Sequence, residues 1–161
     1  IRGLLAEAGK AALGDKAKAA AAIEPSKEDV THETYLGANR AQGFVNGAII
    51  AGTQNFGAPP RELPGSTFAY SGRWKINDQS ATALSADSRI DVNFHARRVY
   101  LVLGSPGRAR TATVELDGRP IKTVKVTNQK LYTLVNLDSV EDHRLTLRVA
   151  PRISGFAFTF G

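Results

Sequence analysis

From Phe68 to the C terminus, apolar and polar residues alternate in short runs separated by turn residues. That period of two is the signature of half-buried β-strands. The clearest run is Arg89 to Gly104. Ile90, Val92 and Phe94 alternate there with Arg89, Asp91, Asn93 and His95. A corner is predicted around Ala96 to Arg98. After it, Val99 to Leu103 is apolar on both faces, so this second strand should be covered on both sides. Phe68 to Ile76 precedes it as a strand closed by Asn77-Asp78, and Ser80 to Leu84 reads as a short strand.

Downstream, Ser105-Pro106-Gly107 has turn chemistry. Gly104 to Arg108 bears only a loose likeness to an anion-binding nest, and a turn accounts for it better. Arg110 to Leu116 and Ile121 to Val126 flank Asp117-Gly118, which predicts a type I′ hairpin. Leu131 to Leu137 follows, then a turn over Asp138 to Asp142, then Arg144 to Val149. Pro151 marks an edge or a break, and Phe156, Phe158 and Phe160 end the chain on one face. About eight strands spaced roughly 8 to 12 residues apart suit an all-β sandwich. No helical stretch intervenes after residue 65, which argues against βαβ units. A jelly roll fits best.

The first part of the chain is different. Ile1 to Ala22 is alanine-rich and helical in propensity, with Gly9 placed to cap one run and Pro25 stopping the next. Residues 23–64 read as an irregular arm. Tyr35, Leu36, Phe44 and Val45 lie there among Gly37, Gly43, Gly47, Gly52 and Gly57, and such spacing suits a segment laid over a folded body. Residues 65–161 form the expected jelly roll. The chain opens on Ile1 and contains no Met, so it reads as a piece of a longer precursor.

Composition adds little about chemistry. The 161 residues suffice for one domain with an appendage. No apolar run is long enough to cross a bilayer as a helix. The net charge of +6 belongs to residues 61–161, with 15 Lys/Arg against 9 Asp/Glu; residues 1–60 hold six of each. Nothing accompanies this excess that would suit nucleic acid: basic runs and interleaved stacking aromatics are missing. A solvated basic strand face accounts for it. Cysteine is absent, so the chain has no disulfide, thiolate metal site or thiol nucleophile of its own.

No nucleophile elbow, zinc-protease motif, P-loop or dinucleotide fingerprint occurs, and no cofactor is implied. His32, His95 and His143 are far apart and suit turns or surfaces. The carboxylates are scattered. What remains is aromatic: Tyr70 and Trp74 lie on the same side of one strand and could stack on a sugar ring. Asn93, His95 and Arg97, on the polar face of the neighbouring strand, would form a ligand rim. A core Trp74 is the plainer alternative.

Four segments carry a family resemblance: ETYLGANRAQGF (Glu33 to Phe44), FHARRVYLVL (Phe94 to Leu103), LYTLV (Leu131 to Val135) and FAFTFG (Phe156 to Gly161). Together they look like the C-terminal domain of DipZ-type thiol:disulfide interchange proteins of cytochrome c biogenesis. Those proteins fuse a CcdA-like membrane domain, a thioredoxin-like domain and this module. The resemblance implies a galactose-binding-like jelly roll, similar to carbohydrate-binding modules, on the extracytoplasmic side of a membrane-anchored parent. Residues 1–22 would then be the helical remnant of the thioredoxin-like domain or its linker. The family's C-x-x-C is not in this chain, so thiol–disulfide exchange would belong to the rest of the parent.

A non-catalytic accessory module follows as the expectation. Its partners would be a carbohydrate and the parent's thioredoxin-like domain, with no nucleic acid and no direct membrane insertion. The alternatives are a purely structural domain that shapes access to the redox site, and an enzyme acting on cell-wall sugars.

Overall fold

The sandwich is built from strands whose large apolar residues fall on one side and whose polar residues fall on the other. The computed structural model describes residues 30–161; the helix expected over residues 1–22 lies outside them. Nine strands follow in chain order: β1 (Thr34–Tyr35), β2 (Gly52–Phe56), β3 (Thr67–Ile76), β4 (Ala81–Ala83) and β5 (Arg89–Gly104). Then come β6 (Arg110–Leu116), β7 (Arg119–Val126), β8 (Lys130–Val149) and β9 (Ser154–Phe160). The strand-to-strand pairings are all antiparallel. Among the described residues the fold is an all-β jelly roll, with no helix.

β5 and β8 belong to both layers. In the first layer the order is β2, β3, the first half of β5, the second half of β8, β6 and β7. The second runs β1, β9, the second half of β5 and the first half of β8. β4 joins the layers by pairing with both β3 and β9. Strands that bend from one sheet into the other make the corners of such packings.

The corner corrects the sequence reading. Both Arg89 to Gly104 and Lys130 to Val149 are single strands, where two strands and a turn were expected in each. They stay paired past the bend because the surplus is taken up as a bulge: Ala96 faces Glu141 and Arg98 faces Asn136, so Leu137 to Val140 stand opposite Arg97 alone. The backbone N–H groups of Arg97 and Arg98 turn instead to the Gly161 carbonyl, at 2.8 and 3.0 Å. The C-terminal residue thus supplies the missing ladder bonds.

The arm also departs from the irregular segment expected. Its Gly52–Phe56 run adds an edge strand to β3, and Thr34–Tyr35 pairs with β9. Leu36 is fully buried in the core. Gly37 follows it because a Cβ there would strike the backbone of Asp78 and Gln79. Asp117 and Gly118 both have positive φ, 51° and 84°, as a type I′ turn requires. The Arg110 guanidinium donates to Ser105 Oγ and to the carbonyls of Pro106 and Arg108. That loop therefore already holds a cation and offers no anion nest. Tyr100 and Val102, expected to be covered, are half-buried among the described residues.

Candidate functional site

Cross-strand register lines up three polar rows on the outer face of the first layer. Ser71, Arg89, Arg148 and Thr113 form one row, and Ala69, Asp91, Thr146 and Glu115 the next. Thr67, Asn93 and Arg144 form the third, beside the Asp117 turn. These are the alternate positions of strands whose other positions, such as Ile90, Val92, Leu145 and Leu147, fill the core.

Asp91 organises the face. Only 1% of it is exposed, and its carboxylate accepts from two arginines and a hydroxyl. Arg89 donates through Nε at 2.8 Å and Nη2 at 3.3 Å. Arg144 donates through Nε at 2.9 Å, with its Nη2 2.8 Å from the same oxygen as an ion pair, and Thr146 Oγ1 donates at 3.1 Å. A buried charge survives only when it is paired and hydrogen-bonded in this way. Arg144 also donates to the carbonyls of Arg61 and Pro60, at 2.8 and 3.2 Å, and so clamps the arm against the sheet. Arg148 donates to Glu115 at 2.7 Å.

Between sheet and arm lies a groove in two chambers. The larger, about 650 Å³, is lined by Pro60, Arg61, Asp91, Glu115, Asp117 and Arg144 among others. The smaller, about 430 Å³, is lined by Pro59, Ser71, Asp87, Arg89 and Arg148 among others. Ala58, Pro59, Arg89 and Arg148 border both chambers. Ser71 is buried, and its Oγ has no hydrogen-bond partner among the described residues.

At one rim His143 sits between two carboxylates. Its Nδ1 donates to Asp117 at 2.5 Å and its Nε2 to Glu141 at 2.7 Å. Burial disfavours the charged ring, but the bonds to Asp117 and Glu141, with their charges, outweigh it and raise the His143 pKa above 6.5. Asp117 is held below the usual carboxylate range: burial opposes this, and the Arg144 backbone N–H and His143 prevail. Glu141 is lowered by hydrogen bonds from His143 and then Ser139. No cluster among the described residues has the make-up of a metal site.

The residues expected to hold a sugar do not meet here. Tyr70 and Trp74, 0% and 1% exposed, are core residues, with ring centroids 4.9 Å apart. Their polar tips are used inside: Tyr70 Oη donates to the Leu36 carbonyl at 2.7 Å and Trp74 Nε1 to the Ser71 carbonyl at 2.9 Å. They share the inner side of β3 with Phe68 and Ile76, which makes it the buried side and removes them as a stacking platform. Asn93 lies on the outer face, but its amide donates to the Leu63 carbonyl at 2.6 Å and pins the arm. His95 bonds Asp142 through Nδ1 at 2.9 Å. Arg97 lies at the bend, outside the groove lining.

Sequence reasoning missed Asp91, Ser71, Arg89, Arg144 and Arg148. A signal existed in the same-face pairs Arg89-x-Asp91 and Arg144-x-Thr146-x-Arg148. Reading them as a solvated face overlooked that an acid flanked by strand-mates of opposite charge can be buried.

A family model described as "Thioredoxin like C-terminal domain" matches residues 31–161. Protein DipZ of Mycobacterium bovis and of Mycobacterium tuberculosis are each 33% identical over 133 residues, covering 82% of this chain. The chain spans 19% of the length of those relatives. Among solved structures, a family two carbohydrate esterase from Cellvibrio japonicus superposes with a TM-score of 0.54 at 18% identity, over 58% of this chain and 30% of that one. The Clostridium thermocellum family two carbohydrate esterase, in complex with cellohexaose, gives 0.52 at 22% identity, over 58% and 31%. These two show a shared fold. By the family match and the mycobacterial relatives together, the chain belongs to the thioredoxin-like C-terminal domain family found in DipZ.

Proposed function

We propose that the chain is a non-catalytic accessory module of an extracytoplasmic, membrane-anchored thiol:disulfide interchange protein of the DipZ type, and that its outer-face groove holds a carbohydrate. The observation that carries this reading is the groove itself. It is a pre-formed cleft with apolar Ala58 and Pro59 on one side and fixed polar groups on the other, which is how small-molecule sites are built. Asp91 locks Arg89 in place, so its geometry is set before a ligand arrives and little order is lost on binding. The same fold occurs in an esterase solved with cellohexaose.

The non-catalytic part rests on chemistry. Thiol exchange needs a thiolate, and the chain has no cysteine. A serine nucleophile needs an adjacent base, and Ser71 Oγ has no partner among the described residues. The module's part would be to hold the redox domain of its parent near glycan-bearing surfaces. No helix among the described residues is long and apolar enough to cross a membrane, so anchoring is assigned to the rest of the parent.

Isothermal titration against a panel of neutral and acidic oligosaccharides tests the reading. Binding to at least one panel member is expected, weakened by Asp87→Asn and kept by Trp74→Phe. Silence across the panel, or binding indifferent to Asp87→Asn, would overturn it.

A further inference from the structure

Arg89 and Arg148 stand directly opposite each other on neighbouring strands. Like charges in that position repel, and each is steadied by one acid, Arg89 by Asp91 and Arg148 by Glu115. Those contacts use only part of each guanidinium. Arg89 spends Nε and Nη2 on Asp91, and Arg148 spends Nε on Glu115. Arg89 Nη1 and both terminal nitrogens of Arg148 have no partner among the described residues. All three belong to side chains lining the smaller chamber, whose third polar member is Ser71, the outward register partner of Arg89. Its hydroxyl, too, is unpartnered, but the oxygen is itself fully buried, so it is not a ligand contact.

The chamber, bordered by Pro59, therefore presents guanidinium donors. One acceptor stands with them: Asp87, exposed, which receives the Ser85 hydroxyl at 2.5 Å on Oδ1. Paired guanidinium edges match a carboxylate, which takes two parallel N–H bonds. An exposed carboxylate matches the hydroxyls of a sugar ring, which donate to it. One ligand class satisfies both ends.

We infer that the smaller chamber selects an acidic sugar, a hexuronate residue whose carboxylate lies between Arg89 and Arg148 and whose ring hydroxyls face Asp87. This rests on the reading of the groove as a carbohydrate site and deepens it. Arg148 is the discriminating residue. Its side chain is 48% exposed, so replacing it leaves the core intact, whereas Arg89 is bound up with Asp91. A bare anion would use the arginines and ignore Asp87; a neutral sugar would use Asp87 and leave the arginine edges unmet.

The test is a pair of titrations of the 161-residue chain, with a hexuronate oligosaccharide and with the matching neutral hexose oligosaccharide. Charge-assisted bidentate pairing predicts about tenfold or more tighter binding of the uronate, weakened by added salt. Arg148→Gln should bring the uronate down to the neutral sugar's affinity, and Arg148→Lys should restore only part, because a point charge replaces the fork. Asp87→Asn should weaken both sugars. Circular dichroism melts confirm that each variant is folded. Equal affinity for the two sugars overturns the uronate inference and leaves the carbohydrate reading standing. Binding of neither overturns both. Uronate binding untouched by Arg148→Gln places the carboxylate elsewhere and overturns the inference.

Discussion

Asp91→Ala should be the most damaging single change on the outer face. Removing the carboxylate leaves two guanidinium groups, each only about a quarter exposed at 25% and 24%, without their shared counterion. It also strands the Thr146 hydroxyl and loosens the Arg144 clamp on Pro60 and Arg61. Taking one partner from a buried ion pair costs about 3–5 kcal/mol. Because both arginines can reach water from their exposed sides, the lower end applies, roughly 3 kcal/mol. For a domain of this size that lowers Tm by about 6–12 °C. Urea unfolding followed by the single tryptophan, Trp74, reads the loss as a lower midpoint at unchanged slope. Asp91→Asn, which keeps an acceptor, should lose less. High salt should not erase the difference, since a buried pair is poorly screened. A loss below about 1 kcal/mol, in the range of exposed pairs, would refute the view that Asp91 organises the groove.

Three further outcomes are expected. Tyr70→Phe strips the buried donor from the Leu36 carbonyl and should destabilise by about 1–3 kcal/mol in the same urea assay. Gly37→Ala drives a Cβ into the backbone of Asp78 and Gln79, so soluble yield and Tm should both collapse, unlike Gly57→Ala, where the space is open. His143→Gln tests the rim. The raised His143 pKa means its contribution is complete below pH 6.5 and fades as pH rises through the folded-state value. The lowered pKa values of Asp117 and Glu141 mean their share is lost as pH falls through the carboxylate range. The Tm gap between wild type and variant should thus be widest between the carboxylate range and pH 6.5, narrowing as pH rises through the raised His143 value and as it falls through the lowered carboxylate values. A gap that does not change with pH would contradict the bonding of His143.

Much of the sandwich was legible because period-2 patterning reports it directly. Phe68, Tyr70, Trp74 and Ile76 share one side of β3, opposite Ser71, Arg73 and Lys75. Counted as a set, that side is core, and the stacking platform fails on the sequence's own terms. The Asp117-Gly118 turn was readable because few residue pairs tolerate two positive φ values. The bend was not. Whether Asp138 to Asp142 makes a turn or a bulge depends on β5 continuing alongside, held by Gly161 from the far end of the chain. The groove was hidden for the same reason. Asp91 is buried by Arg144 and Thr146 on β8, and Arg144 is in turn fixed by arm carbonyls more than eighty residues earlier. Local pattern shows an acid among bases, and only the register shows it enclosed.

The central claim is that ligand enters the groove on the outer face and leaves the aromatic core untouched. Nitrogen–proton chemical-shift mapping during titration with a hexuronate oligosaccharide addresses it most directly. The account predicts shifts confined to the groove, at the backbone amides of Ser71, Asp87, Arg89 and Arg148 and at the Arg89 and Arg148 Nε–H signals, with the Trp74 indole signal unmoved. Saturable shifts centred on His95, Arg97 and the Trp74 indole, with the groove arginines silent, would contradict it.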